Sequence, residues 1–278
     1  MKYALHNNNR IEPSPKAKAT CPCCGSAVVA KCGTKKVWHW AHKSKQMCDH
    51  WWENETQWHR DWKNCFQEEW QEIVHFAGDG EKHIADVKTP SGLVIEFQHS
   101  AIKPEEIKSR EKFYKHMIWI VDGSRLITDT QKLTAIVGNS AFELEKQFAL
   151  KIEKALPKNW ITNSVTVYFD IGDASYLVGL NPDKGFYKFS RNYFTETFTQ
   201  KSEQYGIEFF TQHPLNLYIS SLEHKLEKVR AHLNRYIEQK GNKRMLKNIP
   251  LTRRLRSEEL IYLTKLNRAY DLKLSTKQ

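Results

Sequence analysis

Two acidic residues, Asp86 and Glu96, lie on either side of Pro90-Ser91-Gly92 in a pattern that suits a metal ion. The tripeptide fits a three-residue hairpin loop, with proline at the first corner of a type I turn and glycine in the left-handed position. That register places Asp86 opposite Glu96, with Gln98 on the same face. Carboxylates that face each other on neighbouring strands repel unless a cation lies between them. The spacing therefore predicts a site for Mg²⁺ or Mn²⁺, ions that accept protein carboxylates together with water and phosphate oxygens.

The chemistry expected of such a site is hydrolysis of a phosphodiester. A divalent ion polarises the scissile phosphate and lowers the pKa of an attacking water molecule. Gln98 would orient that water, although a neutral amide cannot stabilise developing charge as a lysine would. Acids at this spacing occur by chance in many hairpins, so the surrounding elements have to support the prediction.

Those elements alternate between helix and strand. A strand at Ile73 to Phe76 precedes the two hairpin strands, Lys82 to Lys88 and Leu93 to Gln98. Pro104 then opens a helix that leads to a strand at Ile118 to Val121, which predicts a parallel crossover. The predicted order is helix, three strands, helix and strand. The predicted fold class is α/β with a mixed sheet.

Glu55 is a further carboxylate in an unusual position. The stretch Glu53 to Ile73 has helical spacing, and Glu55 falls in the middle of its aromatic face. Burying an unpaired carboxylate costs about several kcal/mol, so its position requires a partner or a metal. Both explanations stay open: an i, i+4 pair with His59, or a place in the metal site. The aromatic face consists of Trp51, Trp58, Trp62, Cys65, Phe66 and Trp70.

The first 50 residues combine cysteine and histidine at spacings that suit zinc. Cys21 and Cys24 form a Cys-x2-Cys knuckle, which supplies half of a tetrahedral site. The other half is expected from Cys48 and His42, with His39 as the substitute for His42. A thiolate-rich site is usually closed, so the predicted zinc is structural and not catalytic.

The C-terminal part of the chain is predicted to be mainly helical and basic, after a helix at Phe142 to Leu156 and a hairpin within Val165 to Leu180. From Leu222 to Gln278, fifteen Lys or Arg stand against six Asp or Glu, a balance of +9 in a chain with a formal charge of +11. Basic clusters bind nucleic acid by releasing counterions, so DNA is the predicted partner, and a solvated helical face is the alternative. The residues predicted to contact DNA are Arg110, Lys243, Arg244, Lys247, Arg253, Arg254 and Arg256.

The predicted order of elements is the core topology of the PD-(D/E)xK nucleases, and Asp86, Glu96 and Gln98 resemble their acidic motif. Glutamine stands where lysine is most frequent in that superfamily. A closer resemblance, over about 20 to 123, is to the competence protein CoiA family. The motifs that carry it are Cys21-Pro-Cys-Cys24, His39-Trp-Ala-His42-Lys with Cys48, Glu53-Asn-Glu55-Thr-x-x-His59, Ala85-Asp86-Val87, Ile95-Glu96-Phe97-Gln98-x-Ser100 and Arg110.

This resemblance implies a nuclease-like domain that acts in DNA uptake and recombination, or in a related DNA-processing or phage-defence setting. It also implies which residues form the active centre. Glu55, Asp86, Glu96 and Gln98 would lie at the centre, with His59 and Ser100 as neighbours.

Three regions follow from these patterns: a zinc-binding module at 1–50, a nuclease-like core at 51–137 and a mainly helical basic region at 138–278. The leading function is a metal-dependent DNA nuclease. One rival is a DNA-binding recombination accessory protein that keeps the fold without cleavage, and the other is a zinc-stabilised protein-interaction module. Partner proteins of recombination or defence are compatible with the leading function and the first rival.

The sequence also predicts a cytoplasmic protein without membrane partners. A membrane-spanning helix needs roughly 18 to 20 apolar residues in a row, and the sequence has no such run. Met1 to Arg10 lacks the apolar core of a signal peptide.

Overall fold

The computed structural model describes residues 1–43, 48–51, 53–77, 80–126, 156–161, 163–172, 176–180, 186–200, 214–240 and 250–275. Contacts divide the chain into two units, Met1–Gln212 and His213–Gln278. The first unit contains a small antiparallel sheet and a larger mixed sheet, and the described part of the second consists of two long helices. The predicted α/β class, with a mixed sheet and a helical C-terminal region, is confirmed.

Five short strands form the front module: β1 (Ala4–His6), β2 (Asn9–Ile11), β3 (Lys18–Thr20), β4 (Ala27–Lys31) and β5 (His39–His42). They are antiparallel, in the order β2-β1-β3-β4-β5. Since side chains alternate along a strand, the sheet has two faces. The inner face carries Ala19, Val28 and Trp40, which are buried and pack with Val74 and Ile84 of the larger sheet. The front module therefore covers part of the core.

Seven strands form the larger sheet: β6 (Gln71–Phe76), β7 (Lys82–Lys88), β8 (Val94–Gln98), β9 (Met117–Asp122), β10 (Val167–Asp170), β11 (Tyr176–Leu180) and β12 (Phe186–Ser190). Their order is β12-β11-β10-β9-β8-β7-β6. The helices of this unit are α1 (Gln57–Lys63), α2 (Pro104–Tyr114), α3 (Gly123–Leu126), α4 (Lys158–Ile161) and α5 (Arg191–Gln200). β9 runs parallel to β8 after the crossover through α2, as predicted.

The β7–β8 hairpin has the predicted register, since Val87 pairs with Ile95. Its three-residue loop is closed by the Thr89 N–H, which donates to the Leu93 carbonyl oxygen at 2.9 Å. Gly92 has a φ of +87°, the left-handed conformation that this loop requires. The loop thereby fixes which side chains of the two strands face each other.

The helix predicted from Glu53 to Ile73 is shorter than expected. α1 begins after Thr56, whose side chain caps it, and ends at Lys63. A single 3-10 turn follows at Glu68–Trp70, and β6 begins directly after it. Three conformations therefore replace one predicted helix.

The aromatic residues explain why the helical spacing was misleading. Trp58, Trp62 and Phe66 all contact the ring of Phe97 on β8. Phe66 does so from beyond the end of the helix. The spacing of these aromatic residues reflects their burial against one strand, and such burial does not require a continuous helix.

The larger sheet continues beyond residue 137, the boundary predicted for the core. β10 lies parallel to β9, and β10 and β11 form the hairpin predicted within Val165 to Leu180. The helix predicted at Phe142 to Leu156 lies outside the described residues, except for Leu156, which is buried.

In the second unit, helices α6 (Pro214–Lys240) and α7 (Pro250–Ser275) pack together. Leu222, Leu226 and Leu233 are buried along α6. No helix in the described part of the chain is both long enough and apolar enough to cross a membrane.

Candidate functional site

Cys21, Cys24, His42 and Cys48 come together in the front module. Their ligand atoms all lie within 4.8 Å of one another. Cys24 Sγ is 3.4 Å from His42 Nε2, and Cys21 Sγ is 3.6 Å from Cys48 Sγ. Three sulfurs and one imidazole nitrogen are a donor set of closed tetrahedral zinc sites. The residues fit zinc, and they are the ligand set preferred from the sequence.

A tight turn presents the first two cysteines. The Gly25 N–H donates to the Cys21 carbonyl oxygen at 2.9 Å, and Gly25 has a φ of +73°. Burial raises the pKa of the Cys24 thiol, but hydrogen bonds with Ser26 and His42 outweigh this effect and lower that pKa to about 6. Cys24 is therefore mostly a thiolate at neutral pH, which is the form that binds metal.

His39 lies apart from this cluster. It occupies the first position of β5 and His42 the last, so strand alternation places their side chains on opposite faces. The Nδ1 atom of His39 lies 2.8 Å from the Val37 carbonyl oxygen. Of the two histidines that the sequence left open, the arrangement favours His42.

Asp86 and Glu96 face each other at the point where the β7–β8 ladder opens. The Asp86 N–H donates to Glu96 Oε1 at 3.2 Å, and the Phe97 N–H donates to Asp86 Oδ2 at 3.0 Å. Burial and then the neighbouring Asp86 carboxylate raise the pKa of Glu96 to about 8, although Arg110 opposes the shift. At neutral pH the pair thus retains a proton, which a metal ion would displace.

Arg110 is directed into the same site. One guanidinium nitrogen lies 3.0 Å from Glu96 Oε2, and the other donates to the Trp51 carbonyl oxygen at 2.6 Å and also pairs with Glu106. The side chain is buried. The structure therefore corrects the prediction that Arg110 contacts nucleic acid, because its side chain is buried and bonded to Glu96 and Glu106.

Lys63 connects three carboxylates at the centre of the site. Its Nζ atom lies 2.9 Å from Glu72 Oε1, 3.1 Å from Glu55 Oε2 and 3.1 Å from Asp86 Oδ1. Burial opposes the charge of Lys63, but the three carboxylates outweigh it and raise its pKa well above the ordinary value. The site therefore contains a permanently charged ammonium group beside Asp86.

Glu55 pairs with Lys63 and Arg60, and not with His59. Arg60 Nε lies 3.3 Å from Glu55 Oε1, without the alignment of a hydrogen bond. Of the two explanations that the sequence left open, the i, i+4 pair with His59 is excluded because Glu55 precedes α1, so helical spacing does not apply to it. The carboxylate borders the same cavity as Asp86 and Glu96.

His59 contacts Glu53, a carboxylate for which the sequence predicted no role. His59 Nε2 lies 3.3 Å from Glu53 Oε2, and His59 Nδ1 lies 2.8 Å from Thr56 Oγ1. Glu53 also accepts the Ser100 N–H at 2.5 Å. Burial raises the pKa of Glu53, but its hydrogen bonds with His59 and Ser100 outweigh this and lower it. Glu53 is thus an ionised acceptor that fixes the residues around it.

Gln98 is also directed towards Glu53. Its Nε2 atom donates to Glu53 Oε2 at 3.2 Å and to the Ser100 carbonyl oxygen at 3.0 Å. Gln98 Oε1 is buried and has no hydrogen-bond partner among the described residues. The amide nitrogen is therefore occupied, and the amide oxygen is a buried acceptor without a partner among the described residues.

Glu72 joins this site to the front module. Its Oε1 atom accepts the Lys2 N–H at 2.6 Å, and its Oε2 atom accepts the Tyr3 N–H at 2.9 Å. Glu72 has a φ of +49°, which is uncommon for a residue other than glycine. Burial raises its pKa, but Lys63 and these backbone hydrogen bonds outweigh it and hold the pKa far below the ordinary value. Local spacing gave no signal for Glu72, because it is Lys2 and Tyr3, far away along the chain, that hold it.

One cavity of about 190 Å³ brings the two sites together. Its walls come from both the core and the front module. The core contributes Glu55, Lys63, Asp86, Glu96 and Arg110, and the front module contributes Trp40, His42 and Cys48. Two of the four zinc-type ligands therefore border the cavity onto which the acidic pair opens.

The predicted DNA contacts of the tail are only partly described. Arg253, Arg254 and Arg256 are exposed on α7, and Arg254 pairs with Glu258 at 3.1 Å. The remaining predicted contacts, Lys243, Arg244 and Lys247, lie outside the described residues. Nucleic-acid binding by this region stays a prediction.

Comparison with known families gives two matches, which follow each other along the chain. Residues 5–50 match the family described as competence protein CoiA, N-terminal domain. Residues 84–154 match the family described as competence protein CoiA, nuclease-like domain. The first match includes the zinc-type cluster, and the second includes Asp86 and Glu96. Comparison with curated proteins and with solved structures gave no match. The two matched domains support membership of the competence protein CoiA-like family.

Proposed function

We propose that this protein is a metal-dependent DNA nuclease that hydrolyses phosphodiester bonds in DNA processing, in a setting such as competence, recombination or phage defence. The match to a CoiA nuclease-like domain supports the general role. The observation that carries the proposal is the Asp86–Glu96 pair. Its two carboxylates border one cavity, and their repulsion contributes to raising the pKa of Glu96 to about 8.

The donor atoms of this pair fit Mg²⁺ or Mn²⁺, which prefer carboxylate oxygens and retain water ligands. Asp86 and Glu96 would hold the ion, and Glu55 borders the same cavity. When bound, the ion polarises the scissile phosphate and lowers the pKa of the attacking water. The proton shared by the pair is the charge that the ion replaces.

The chain's own cations have separate tasks in this proposal. Lys63 lies 3.1 Å from Asp86 and supplies the positive charge that the neutral Gln98 lacks. Arg110 lies 3.0 Å from Glu96 and holds that side chain in place. Both groups reduce the negative charge that a phosphate meets in the cavity.

His59 and Gln98 position other groups. Both ring nitrogens of His59 are engaged, by Glu53 and Thr56, so we assign it no proton transfer. Gln98 is held through its amide nitrogen, and its free oxygen would orient a water molecule. Ser100 contributes its backbone N–H and carbonyl oxygen.

DNA is the proposed substrate, and we propose that the basic tail binds its backbone without sequence preference. Lysine and arginine on a helical face contact phosphates and do not read base edges. The exposed Arg253, Arg254 and Arg256 suit this role. A cytoplasmic setting, with partner proteins of recombination or defence, belongs to the same proposal.

A DNA-binding accessory protein without cleavage is the second candidate. The observation that favours it is the pairing of both acids within the chain, Asp86 with Lys63 and Glu96 with Arg110. In such a protein these pairs would maintain the fold, and no ion would be needed. The two candidates differ in whether added metal produces cut DNA.

The deciding experiment incubates the purified chain with linear, circular and single-stranded DNA, with magnesium, with manganese or with EDTA. We expect products only where a divalent ion is present. Asp86→Asn should reduce cleavage by orders of magnitude because a ligand charge is lost. It should leave the fold stable, since asparagine still offers an oxygen to the Phe97 N–H and Lys63 keeps two carboxylates.

Gln98→Lys in the same assay tests the second task of the site. A lysine here can pair with Glu53, so we expect retained or increased cleavage. Verified cleavage that survives Asp86→Asn would rule out the proposed centre, and an absence of products from every DNA with both metals would favour the accessory protein.

A further inference from the structure

The outer face of the front module carries three lysines: Lys18, Lys31 and Lys43. Lys18 pairs with Val29, and Val29 pairs with Ala41, so these three positions share a face. Lys31 lies two positions after Val29 on β4, and Lys43 lies two positions after Ala41, just past the end of β5. Side chains two positions apart on a strand point to the same face, so both lysines share the face of Lys18. The strand geometry separates the three Cα atoms by roughly 8 to 14 Å.

These lysines have no acidic partner in the described part of the chain. The first 50 residues contain nine Lys or Arg and only two acids, Glu12 and Asp49, a balance of +7. Glu12 pairs with Lys2 and Arg60, and Asp49 pairs with His83 in the core. Both acids are therefore engaged elsewhere, and the outer face keeps an uncompensated positive charge.

The same face contains a groove. Lys18 and Lys43 line it together with apolar residues such as Ala27 and Val29 and with polar residues such as Asn7 and Asn8. All three lysines are exposed. A groove lined by two exposed cations and by hydrogen-bonding side chains suits an extended polyanion.

An exposed aromatic ring lies in the loop that follows Lys31. Trp38 is 45 % exposed, and its indole N–H donates to the Gly33 carbonyl oxygen at 3.1 Å. The polar edge of the ring is thus satisfied within the loop, which leaves ring surface in solvent. Arg60 of α1 donates to the Trp38 carbonyl oxygen at 2.8 Å and also lies 3.3 Å from Glu55. The loop is therefore attached to the helix that borders the acidic site.

We propose that the outer face with Lys18, Lys31 and Lys43, together with the adjoining loop that holds Trp38, binds single-stranded nucleic acid. The lysines contact phosphates, and Trp38 stacks on an unpaired base. A single strand is favoured over a duplex because base stacking on an aromatic side chain requires a base that is free of its own partner. The inference rests on the proposed function for its choice of nucleic acid as the ligand, but binding does not require cleavage.

The test measures binding of the full chain to a fluorescent oligothymidylate and to a duplex of equal length, without added magnesium or manganese, over a range of salt concentrations. We expect Lys18→Ala, Lys31→Ala and Lys43→Ala together to weaken single-strand binding about tenfold or more. The slope of log affinity against log salt should become less steep by about 2, because each lost phosphate contact removes about 0.7 of a counterion.

A matched control removes the same charge elsewhere. Lys103, Lys108 and Lys112 are exposed on or beside α2, and their replacement by alanine should change neither affinity nor salt slope appreciably. If the front and control triples behave alike, or if neither the single strand nor the duplex binds the unmodified chain, the proposal is overturned. A failure to detect cleavage does not affect this test, since it contains no catalytic metal.

Trp38 provides an independent measurement that does not depend on the triple variant folding. Trp38→Ala should weaken single-strand binding about fivefold to a hundredfold, in line with the loss of one stacked base, and should leave duplex binding unchanged. Trp38→Phe should retain most of the affinity. Equal losses for single strand and duplex, or no loss for Trp38→Ala, would exclude single-strand recognition by this surface.

Discussion

The front cluster and the acidic site manage their negative charge in opposite ways. The front cluster gathers three cysteines and His42 from the first 50 residues, and its sulfurs lie against one another. The acidic site gathers its side chains from α1, β6, β7, β8 and α2. Each of its facing acids already has a cation from the chain, Lys63 for Asp86 and Arg110 for Glu96.

This difference implies that a metal ion at the front cluster serves folding, whereas a metal ion at the acidic site would serve only the chemistry. Zinc binds cysteine in its deprotonated form, and three thiolates this close together need the ion between them, so metal binding and folding of the front module are coupled. The acidic site is balanced by its own lysine and arginine, so its fold does not depend on magnesium. The front module also holds Glu72 through the Lys2 and Tyr3 amides. Loss of zinc should therefore disturb the position of Glu72 and, through it, the acidic site.

The largest expected effect comes from the front cluster. Cys24→Ser should abolish stoichiometric zinc binding and destabilise the protein more than any single substitution in the acidic site, because structural zinc contributes about 10 to 16 kcal/mol in isolated zinc-finger peptides. The purified unmodified chain should contain about one zinc equivalent. Metal analysis and denaturant unfolding measure both results.

Cys32→Ser is the matched control for this substitution. Cys32 is a free cysteine in the same module and lies outside the four-residue cluster. It should retain zinc and stability. A metal-free preparation that is fully folded, or a Cys24→Ser protein as stable as the control, would contradict the coupling of zinc to the fold.

The next effect concerns Lys63. Lys63→Met leaves Glu55 and Glu72 buried without their shared ammonium group, and removing one partner of a buried ion pair costs about 3 to 5 kcal/mol. Adding magnesium should restore little of this stability, since Glu72 is bound by the Lys2 and Tyr3 amides and is not one of the proposed magnesium ligands. Denaturant unfolding with and without the ion measures the cost.

A double variant tests whether the cost comes from charge. Glu72→Gln removes one of the stranded charges and keeps an oxygen for a backbone amide of the front module. The variant with both Lys63→Met and Glu72→Gln should therefore be more stable than the sum of the two separate effects indicates. Additive effects would show that Lys63 and Glu72 do not act as a pair, and that the site does not carry its own neutralisation.

Features encoded within a short stretch of chain were predicted correctly. Pro90-Ser91-Gly92 determined the hairpin register because a loop of this length permits few geometries. The spacing of Cys21 and Cys24 indicated a metal knuckle, and the structure brings their expected partners to them. Alternation of side chains along a strand from His39 to His42 would already have separated the two histidines.

Features that depend on distant contacts were missed. Lys63, Glu72 and Asp86 belong to three different elements, and only the order of the sheet and the position of the front module bring them together. The error over Glu55 and His59 has another cause. Burial of aromatic residues against Phe97 extends past the C-terminal end of α1 to Phe66, so periodicity overestimated the helix.

The last expected effect, which appears only as the pH changes, is a dependence of stability on pH that belongs to Glu96. Its pKa is 4.5 in an unfolded chain and about 8 in the folded protein, because of burial and the Asp86 carboxylate. Between these values the folded state binds a proton that the unfolded state has lost. The contribution to stability is therefore complete below about pH 4.5 and declines as the pH rises through 8.

Glu96→Gln should flatten this decline, since glutamine has the shape of the protonated acid and does not titrate. Each unit of pKa shift corresponds to about 1.4 kcal/mol, so between these pH values the unmodified protein should lose on the order of a few kcal/mol more stability than Glu96→Gln does. Asp86→Asn should also flatten it, because it removes the repulsion that raises the pKa of Glu96. Urea unfolding at several pH values between 5 and 9, without added magnesium, measures the slopes. The front cluster is the same in all three proteins, so its contribution cancels in the comparison. Parallel slopes for the unmodified protein and Glu96→Gln would mean that the facing acids share no proton, and the acidic site would then differ from the front cluster less than its geometry indicates.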